Sequence, residues 1–340
     1  MNRKAWISVA VAIIAAAIAI AAVYQYRRSE TELKKSAVPA VKLVIATFWT
    51  STSSGVILAE RMGFFRDQGL EVTLQPHPNG SLALAALLEG TADLATVGGP
   101  PIALGALKGH RFFILATLFE SATVINMIAR RDRGIDKPLD LVGKKLGTVF
   151  NSVAEFLQDS ILDRYGVDSR SIVRINLAPA QTVSALLSGE VDAVTIWAPY
   201  TLELKNRLGS QAVVFGTETG YTSPLGLLGR KDLVTQHPEV MRRVLAALDR
   251  ANAFARSDSA RAVREVAQTL GVDEAIVRAD WDPLKFTLGL DQSLVIFLEE
   301  QARWAIRRRL VDTTATPNFM EWIHADALTA VKPGAVSLIR

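Results

Sequence analysis

The chain contains no cysteine. This excludes a thiolate nucleophile, a thiolate metal site, a disulfide framework and a lipid-modified N-terminal cysteine. Histidine is almost as scarce: His77, His110, His237 and His324 lie far apart, with no metal-ligand spacing among them. His237, directly before Pro238, reads as a solvated residue at a helix start. Aromatic residues make up 7% of the chain and do not interleave with basic ones as a nucleic-acid platform would require. The excess of one charge is small as well. The formal net charge is +4, and the densest basic group (Arg303, Arg307, Arg308 and Arg309) reads as the solvated stripe of a helix. No nucleophile elbow, P-loop or dinucleotide fingerprint occurs. These absences leave no catalytic residue, metal or cofactor to nominate, and no nucleic-acid partner.

What is present starts with an apolar run. Arg3 and Lys4 precede an uncharged stretch from Ala5 to Tyr24, and Arg27 and Arg28 close it. About 20 apolar residues span a bilayer as a helix, whereas the core of a cleaved signal is shorter, about 7–15 residues. Ala19-Ile20-Ala21 would serve as a small-x-small cleavage site. Residues 1–28 are therefore expected to be either a membrane anchor or a signal segment, with the full spanning length favouring the anchor. Residues 29–40 then form a polar linker. Either reading exports the globular body. At 340 residues the chain exceeds one ordinary core and suits two lobes.

The body contains one unit twice. Ala86-Leu87-Leu88-Glu89-Gly90-Thr91-Ala92-Asp93 recurs as Ala185-Leu186-Leu187-Ser188-Gly189-Glu190-Val191-Asp192. In both copies an apolar strand-like run follows, with Pro100 and Pro199 at the same offset. A repeat of this length indicates two domains of one architecture, not a solenoid. Gly90 and Gly189 suit left-handed helix caps. Asp93 and Asp192 suit a turn or strand start, since both copies keep them. Upstream, 42–47 and 145–149 read as strands, followed by helices and by further strands at 70–74 and 172–177. Strand alternating with helix implies mostly parallel sheets flanked by helices. The polar joints 119–123 and 217–224 lie between strand-like stretches and read as paired crossings between lobes. From Lys231 onward the chain reads as mostly helical, broken at Pro238, Gly271, Pro283 and Gly289, and is expected to back the first lobe. The expected division is 41–122 with 223–340 as lobe I and 123–222 as lobe II.

Five stretches in order carry a resemblance. Gly63-Phe64-Phe65-Arg66-Asp67-Gln68-Gly69-Leu70-Glu71-Val72 is followed by Asn79-Gly80 through Asp93 and by Gly98-Gly99-Pro100-Pro101. Asp140-Leu141-Val142-Gly143-Lys144-Lys145-Leu146-Gly147 and His237-Pro238-Glu239-Val240 complete the set. Over roughly residues 41–310 the chain resembles periplasmic binding proteins of the type II fold, in particular the nitrate/sulfonate/taurine-binding components of ABC transporters, the NMT1/THI5-like group. The resemblance implies a two-lobed α/β fold and capture of a small anionic solute. It further implies an ABC permease and ATPase as partners and a monomer in the periplasm, tethered to the inner membrane if the N-terminal helix is uncleaved and soluble otherwise. Two alternatives share the fold, a membrane-tethered ligand sensor and a thiamine-pyrimidine-precursor binding protein. The enzymes of the resembled group, thiamine-pyrimidine synthases, rely on a cysteine-rich segment that this chain lacks.

In open α/β sheets ligands sit beyond the carboxyl ends of the strands. Those edges correspond to four loops, each running into a helix N-terminus that favours an anion. The first carries Phe48, Trp49, Ser51, Thr52 and Ser53, and the second Gly98, Gly99 and Pro100. The third carries Asn151, Ser152 and Val153, and the fourth Trp197. None contains Lys or Arg, so an oxyanion there is held by amides and hydroxyls. The hydroxyls of Ser51, Thr52, Ser53 and Ser152 serve equally as helix caps. Trp197 stands where the other copy has Gly98, which pairs a flat ring with a bare backbone. The ring either packs on the ligand or fills the core beneath its loop. Glu120, in the first crossing, either meets a ligand ammonium or bonds backbone N–H groups.

Overall fold

A computed structural model describes residues 40–216, 221–281 and 285–339. The expected anchor and linker lie outside these residues, apart from the last linker position. Along the first half run β1 (Val41–Phe48), α1 (Ser54–Arg61), α2 (Phe64–Asp67), β2 (Leu70–His77), α3 (Gly80–Leu88), β3 (Leu94–Gly98), α4 (Gly99–Leu107) and β4 (Phe112–Ser121). Next come β5 (Ile125–Arg130), β6 (Lys145–Thr148), α5 (Val153–Arg164), β7 (Val173–Asn176), α6 (Gln181–Ser188), β8 (Ala193–Trp197), α7 (Tyr200–Leu208) and β9 (Ala212–Phe215). The remainder is β10 (Ser223–Arg230), α8 (Lys231–Gln236), α9 (Pro238–Ser257), α10 (Ser259–Leu270), α11 (Glu274–Trp281), β11 (Lys285–Asp291), α12 (Gln292–Arg307), α13 (Asp326–Val331) and β12 (Val336–Ser337).

The strands form two sheets. The larger has seven strands in the order β12-β11-β4-β10-β3-β1-β2, and the smaller has five in the order β7-β6-β8-β5-β9. Both lie within one compact unit covering residues 42–340. Each sheet is mixed. β1 pairs parallel with β3, and β6 pairs parallel with β7 and β8, while β10, β4, β5 and β9 enter antiparallel.

The sequence repeat is a structural repeat down to the register. Leu94 pairs with Ile45 in the larger sheet, and its counterpart Ala193 pairs with Leu146 in the smaller. Gly90 and Gly189 end their helices at φ of 76° and 82°, the left-handed region where an added Cβ is costly. The two aspartates do the same work. Asp93 Oδ2 accepts the Val44 N–H at 2.9 Å and Asp192 Oδ2 accepts the Lys145 N–H at 2.9 Å. Each carboxylate ties the start of the repeat's last strand to the start of the neighbouring parallel strand. β3 and β8 are buried along their whole lengths, as central strands covered on both faces must be.

Two crossings join the sheets. β4 passes to β5 through 122–124, and β9 passes to β10 through 216–222, of which 217–220 lie outside the described residues. Ser121 is paired with Ser223 and Met127 with Phe215, so the crossings run side by side.

After β10 the chain is mostly helical, as expected, with two strands added. Residues 285–291 form β11, antiparallel to β4, and 336–337 add a short edge strand. Leu288 and Leu290 are buried while Thr287 and Gly289 are half-buried, a period of two that marks a strand. The break expected at Pro238 separates α8 from α9, and Pro238 occupies the first turn of α9, where its missing N–H costs nothing. Gly271 caps α10 at φ 71°. Pro283 is outside the described residues. The 20-residue α9 buries Val240, Met241, Val244, Leu245, Leu248 and Ala251 against the helices that follow β1 and against β11. That leaves α12 against α4, within reach of the smaller sheet's α5.

Candidate ligand-binding cleft

The carboxyl ends of β1, β3, β6 and β8 face one another, and the four predicted loops meet there. In the first loop the Thr50 hydroxyl accepts the Thr52 N–H at 3.3 Å and lies 2.7 Å from the Thr52 hydroxyl. Ser53 turns inward: its hydroxyl donates to the Phe48 carbonyl at 2.7 Å and sits 3.1 Å from that of Thr96. Ser53 is fully buried and fastens the loop to β3. Its place in the architecture is that of a brace, while Thr52 lines a cavity.

In the second loop the glycines have separate packing reasons. A Cβ on Gly98 would stand 2.9 Å from Val153 Cγ1, so the bare backbone lets α5 of the smaller sheet approach β3 of the larger. A Cβ on Gly99 would collide with Gln301 and Phe297 of α12. Gly99 and Pro100 are buried in the first turn of α4 and line neither of the cavities beside Trp197.

The third loop is an N-cap. Ser152 Oγ accepts the Ala154 N–H at 3.1 Å and donates to the Val149 carbonyl at 2.6 Å. Asn151 takes φ 56°, a left-handed conformation that asparagine tolerates better than most residues. Its N–H donates to Glu155 Oε2 at 2.7 Å, and its carbonyl accepts the Ser81 hydroxyl of α3 at 3.1 Å. That last bond spans from the larger sheet's layer to the smaller's.

Trp197 ends β8, 3% exposed. Its ring meets Phe48 edge-on, with centroids 5.4 Å apart and planes at 85°. Its Nε1 is sealed from solvent and has no hydrogen-bond acceptor. The ring borders two cavities. The smaller, about 30 Å³, lies between Phe48, Thr52, Gly98, Phe119, Val153 and Trp197. The larger, about 220 Å³, has Trp49, Thr50, Ser51 and Pro78 on the larger sheet's side and Trp197, Pro199 and Tyr200 on the smaller's. Its remaining wall is Leu270, Val272, Ile276 and Val277, from the junction of α10 and α11. Burial pushes the Tyr200 phenol up from its ordinary value, and the Glu203 charge adds to this. Of the predicted residues, Phe48, Trp49, Ser51, Thr52, Gly98, Val153 and Trp197 therefore line these two spaces. Glu120 lines a third space, with Tyr221 and Thr222 by the crossings.

The α10–α11 junction has no sequence signal that would have placed it at the cleft. Its apolar residues continue the amphipathic pattern of helices that otherwise face the core. Tyr200 and Pro199 adjoin the repeat motif, and were legible as the loop that follows β8.

Beside the cleft, α12 reaches across to α5. Asp159 of α5 accepts the Trp304 indole N–H at 2.8 Å, lies 3.1 Å from Arg308 Nε and also pairs with Arg174. Glu155 stands 3.6 Å from Arg308. Burial holds the Glu155 carboxyl above its ordinary value, against the Asn151 N–H and the nearby arginines that favour its charge. Phe156 packs edge-on against Trp304, centroids 5.4 Å apart, and tilted against Tyr221 at 5.2 Å. The arginine group expected to be a solvated stripe is thus divided: Arg303 pairs with Glu299 on the surface, but Arg308 enters this network. A helix's outer face becomes an inner one where a second layer closes over it. Among the described residues no group of His, Asp or Glu is arranged to hold a metal ion. Nor is any described helix long and apolar enough to cross a membrane.

Residues 50–262 match the family model described as NMT1/THI5 like. This chain belongs to the NMT1/THI5-like family. The taurine-binding periplasmic protein of Escherichia coli K12 is 24% identical over 207 residues, 60% of this chain and 63% of that one. Among solved structures, the alkanesulfonate-binding protein SsuA from Xanthomonas axonopodis pv. citri, bound to MOPS, superposes with a TM-score of 0.74 at 20% identity. The match covers 85% of this chain and 99% of that one. The periplasmic aliphatic sulphonate-binding protein SsuA from Escherichia coli gives 0.72 at 22% identity, covering 84% and 92%. The fold of this NMT1/THI5-like protein is that of the periplasmic binding proteins, as the resemblance implied.

Proposed function

We propose that this NMT1/THI5-like protein is the substrate-binding component of an ABC importer. It captures a small solute carrying a sulfonate-like anionic group between two lobes that close about a hinge. Residues 41–122 with 223–340 form one lobe and 123–222 the other, joined by the two crossings. The observation that carries this reading is the convergence of four strand-end loops, two from each sheet, on the cavities flanking Trp197. Convergent loops at the carboxyl edges of facing sheets are where α/β folds bind ligands. The relatives' names support the solute class and the extracytoplasmic location, and through them a permease and an ATPase as partners. A closed form gains contacts that an open one lacks, so a ligand touching both lobes shifts the population towards closure.

Thermal unfolding of the full chain against a panel of alkyl and aryl sulfonates, taurine, nitrate and sulfate tests this. A true ligand at 100 times its dissociation constant adds about 2.7 kcal/mol of stability. Stabilisation by at least one member, increasing with its concentration, is expected. A melting curve unmoved by every member would contradict the reading.

A further inference from the structure

Two pairs of residues, each four apart and so on one helix face, meet between α12 and α5. Trp304 and Arg308 come from α12 and its cap, Glu155 and Asp159 from α5. α12 follows β11 of the larger sheet and packs on α4, whereas α5 joins β6 to β7 of the smaller. The contact therefore spans the two sheets, beside the crossings, where Tyr221 packs on Phe156. The Trp304 indole N–H donates to Asp159 Oδ2 at 2.8 Å. Arg308 reaches both carboxylates, 3.1 Å from Asp159 and 3.6 Å from Glu155. At Arg309 the backbone turns left-handed, with φ 54°, and Leu310 and Val311 pack back on Leu104, Phe156 and Trp304. The end of α12 is thereby fixed against α5.

Both acids also keep a partner from their own sheet. Asp159 pairs with Arg174 of β7, and Glu155 Oε2 accepts the Asn151 N–H at 2.7 Å. Their side chains are 6% and 2% exposed, a setting in which an unpartnered ion is costly. If the sheets part, Arg174 and the Asn151 N–H stay in place and water enters. Arg308, already 27% exposed, returns to solvent. No buried charge is left uncompensated, as it would be when a core ion pair loses one member. The contact is built to open.

The same α5 carries cross-sheet contacts of the cleft. Val153 begins it and stands against Gly98 of β3, and the Asn151 carbonyl just before it accepts the Ser81 hydroxyl at 3.1 Å. Glu155 ties Asn151 to the helix, so a shift of α5 carries Val153 and Asn151 together. Yet none of Trp304, Arg308, Glu155 and Asp159 lines the cavities beside Trp197.

Resting on the two-lobed importer reading, we propose that Trp304 and Arg308 are positioning residues for the cleft. They form a clasp on α5 that holds the sheets in their approached geometry without touching the solute. The clasp sets how much of the protein is closed before solute arrives, and through that population how tightly the cleft holds whatever it binds.

The chain has no cysteine, so nitroxide labels attach only where cysteines are introduced. Leu82 and Ser184 are exposed, on α3 and α6. These helices follow β2 and β7, the edge strands farthest from the crossings. Pulsed electron-resonance distances between labels in Leu82→Cys with Ser184→Cys, with no solute added, test the clasp. In this background Arg308→Met keeps an apolar stem and removes the cation. It is expected to raise the fraction of molecules at longer separation at least three-fold. Arg308→Lys, whose single nitrogen meets one carboxylate at a time, is expected to fall between. Trp304→Phe keeps the ring against Phe156 and provides a second variant should Arg308→Met fail to fold; a rise of at least two-fold is expected. A distribution unchanged in Arg308→Met, or in Trp304→Phe if only that variant folds, would overturn the clasp. Arg308→Lys as open as Arg308→Met would overturn the role given to the charge. With no solute present, neither result depends on what the cleft binds. The importer reading fails separately, on a melting curve unmoved by the whole panel of anions.

Discussion

At the scale of single residues, the twin aspartates and Gly98 separate structural from functional positions. Asp93 and Asp192 each accept a backbone N–H at the start of a neighbouring strand. Replacing either by alanine leaves that donor without its charged acceptor, a loss of about 1–3 kcal/mol. Denaturant titration of Asp93→Ala and Asp192→Ala is expected to show a drop of this size in each, with sulfonate affinity unchanged. Gly98 behaves differently. Its missing Cβ is where Val153 of the opposite layer fits, so Gly98→Val holds the two sheets apart. Such a variant is expected to keep its melting temperature within a few degrees and to show a larger radius of gyration in small-angle scattering. A radius equal to that of the parent chain would show that the approach at Gly98 does not set the closed geometry. The repeat motif made both kinds of position legible, because identical residues at identical offsets point to shared architecture. Position 98/197 broke the symmetry and pointed to the cleft. The direction of a hydroxyl was not legible. Ser51, Thr52 and Ser53 form one polar run, yet Ser53 turns into the core and bonds Phe48 and Thr96. Three consecutive small polar residues carry no periodicity from which the inward one could be told.

At the scale of elements, the contact between α12 and α5 is the feature that sequence reasoning did not reach. Trp304, Arg308, Asp159 and Glu155 come from helices more than a hundred residues apart. Each helix taken alone reads as an ordinary amphipathic helix with charges on its solvent side. Only the second layer converts those charges into a buried network. β11 was missed for a nearer reason, since Phe286, Leu288 and Leu290 alternate over too short a stretch to outweigh the helical pattern on both sides. The network has two measurable consequences. Trp304→Phe keeps the ring against Phe156 but removes the 2.8 Å bond to Asp159. It is expected to cost about 1.5–3 kcal/mol, the range for a bond to a charged acceptor, read by denaturant titration. The second consequence is a pH dependence. Burial raises the Glu155 pKa above its ordinary 4.5 in the folded chain, so the folded state holds this proton more tightly than the unfolded state. The stability this proton contributes is fully present below the ordinary glutamate range. It is lost as pH rises through the raised value. Glu155→Gln keeps an oxygen for the Asn151 N–H and no longer titrates. Its unfolding free energy is expected to fall less than that of the parent chain as pH rises from 4.5 through the weakly acidic range. Parallel curves for the two chains would show that Glu155 does not contribute to this dependence.

At the scale of the whole molecule, two adjacent crossings join the two sheets, and in the proposed function they are the hinge about which the cleft closes. The sheet-forming repeat was readable because a parallel strand buried on both faces requires an unbroken apolar run, and such runs stand out. The composition of the cavity was not, because one of its walls comes from the α10–α11 junction, which belongs to neither repeat. If the solute enters between the sheets, its exchange depends on their separation. The absence of cysteine makes this directly testable, because an introduced pair of thiols has no competitor. Ser81 and Asn151 meet across the gap, with the Ser81 hydroxyl 3.1 Å from the Asn151 carbonyl. The decisive measurement is sulfonate exchange in Ser81→Cys with Asn151→Cys, before and after joining the thiols with a short bifunctional linker. Joined without sulfonate, the protein is expected to take up none; joined with sulfonate bound, it is expected to retain it; the unjoined double variant should exchange freely. Free uptake and release by the joined protein would contradict capture between the two sheets.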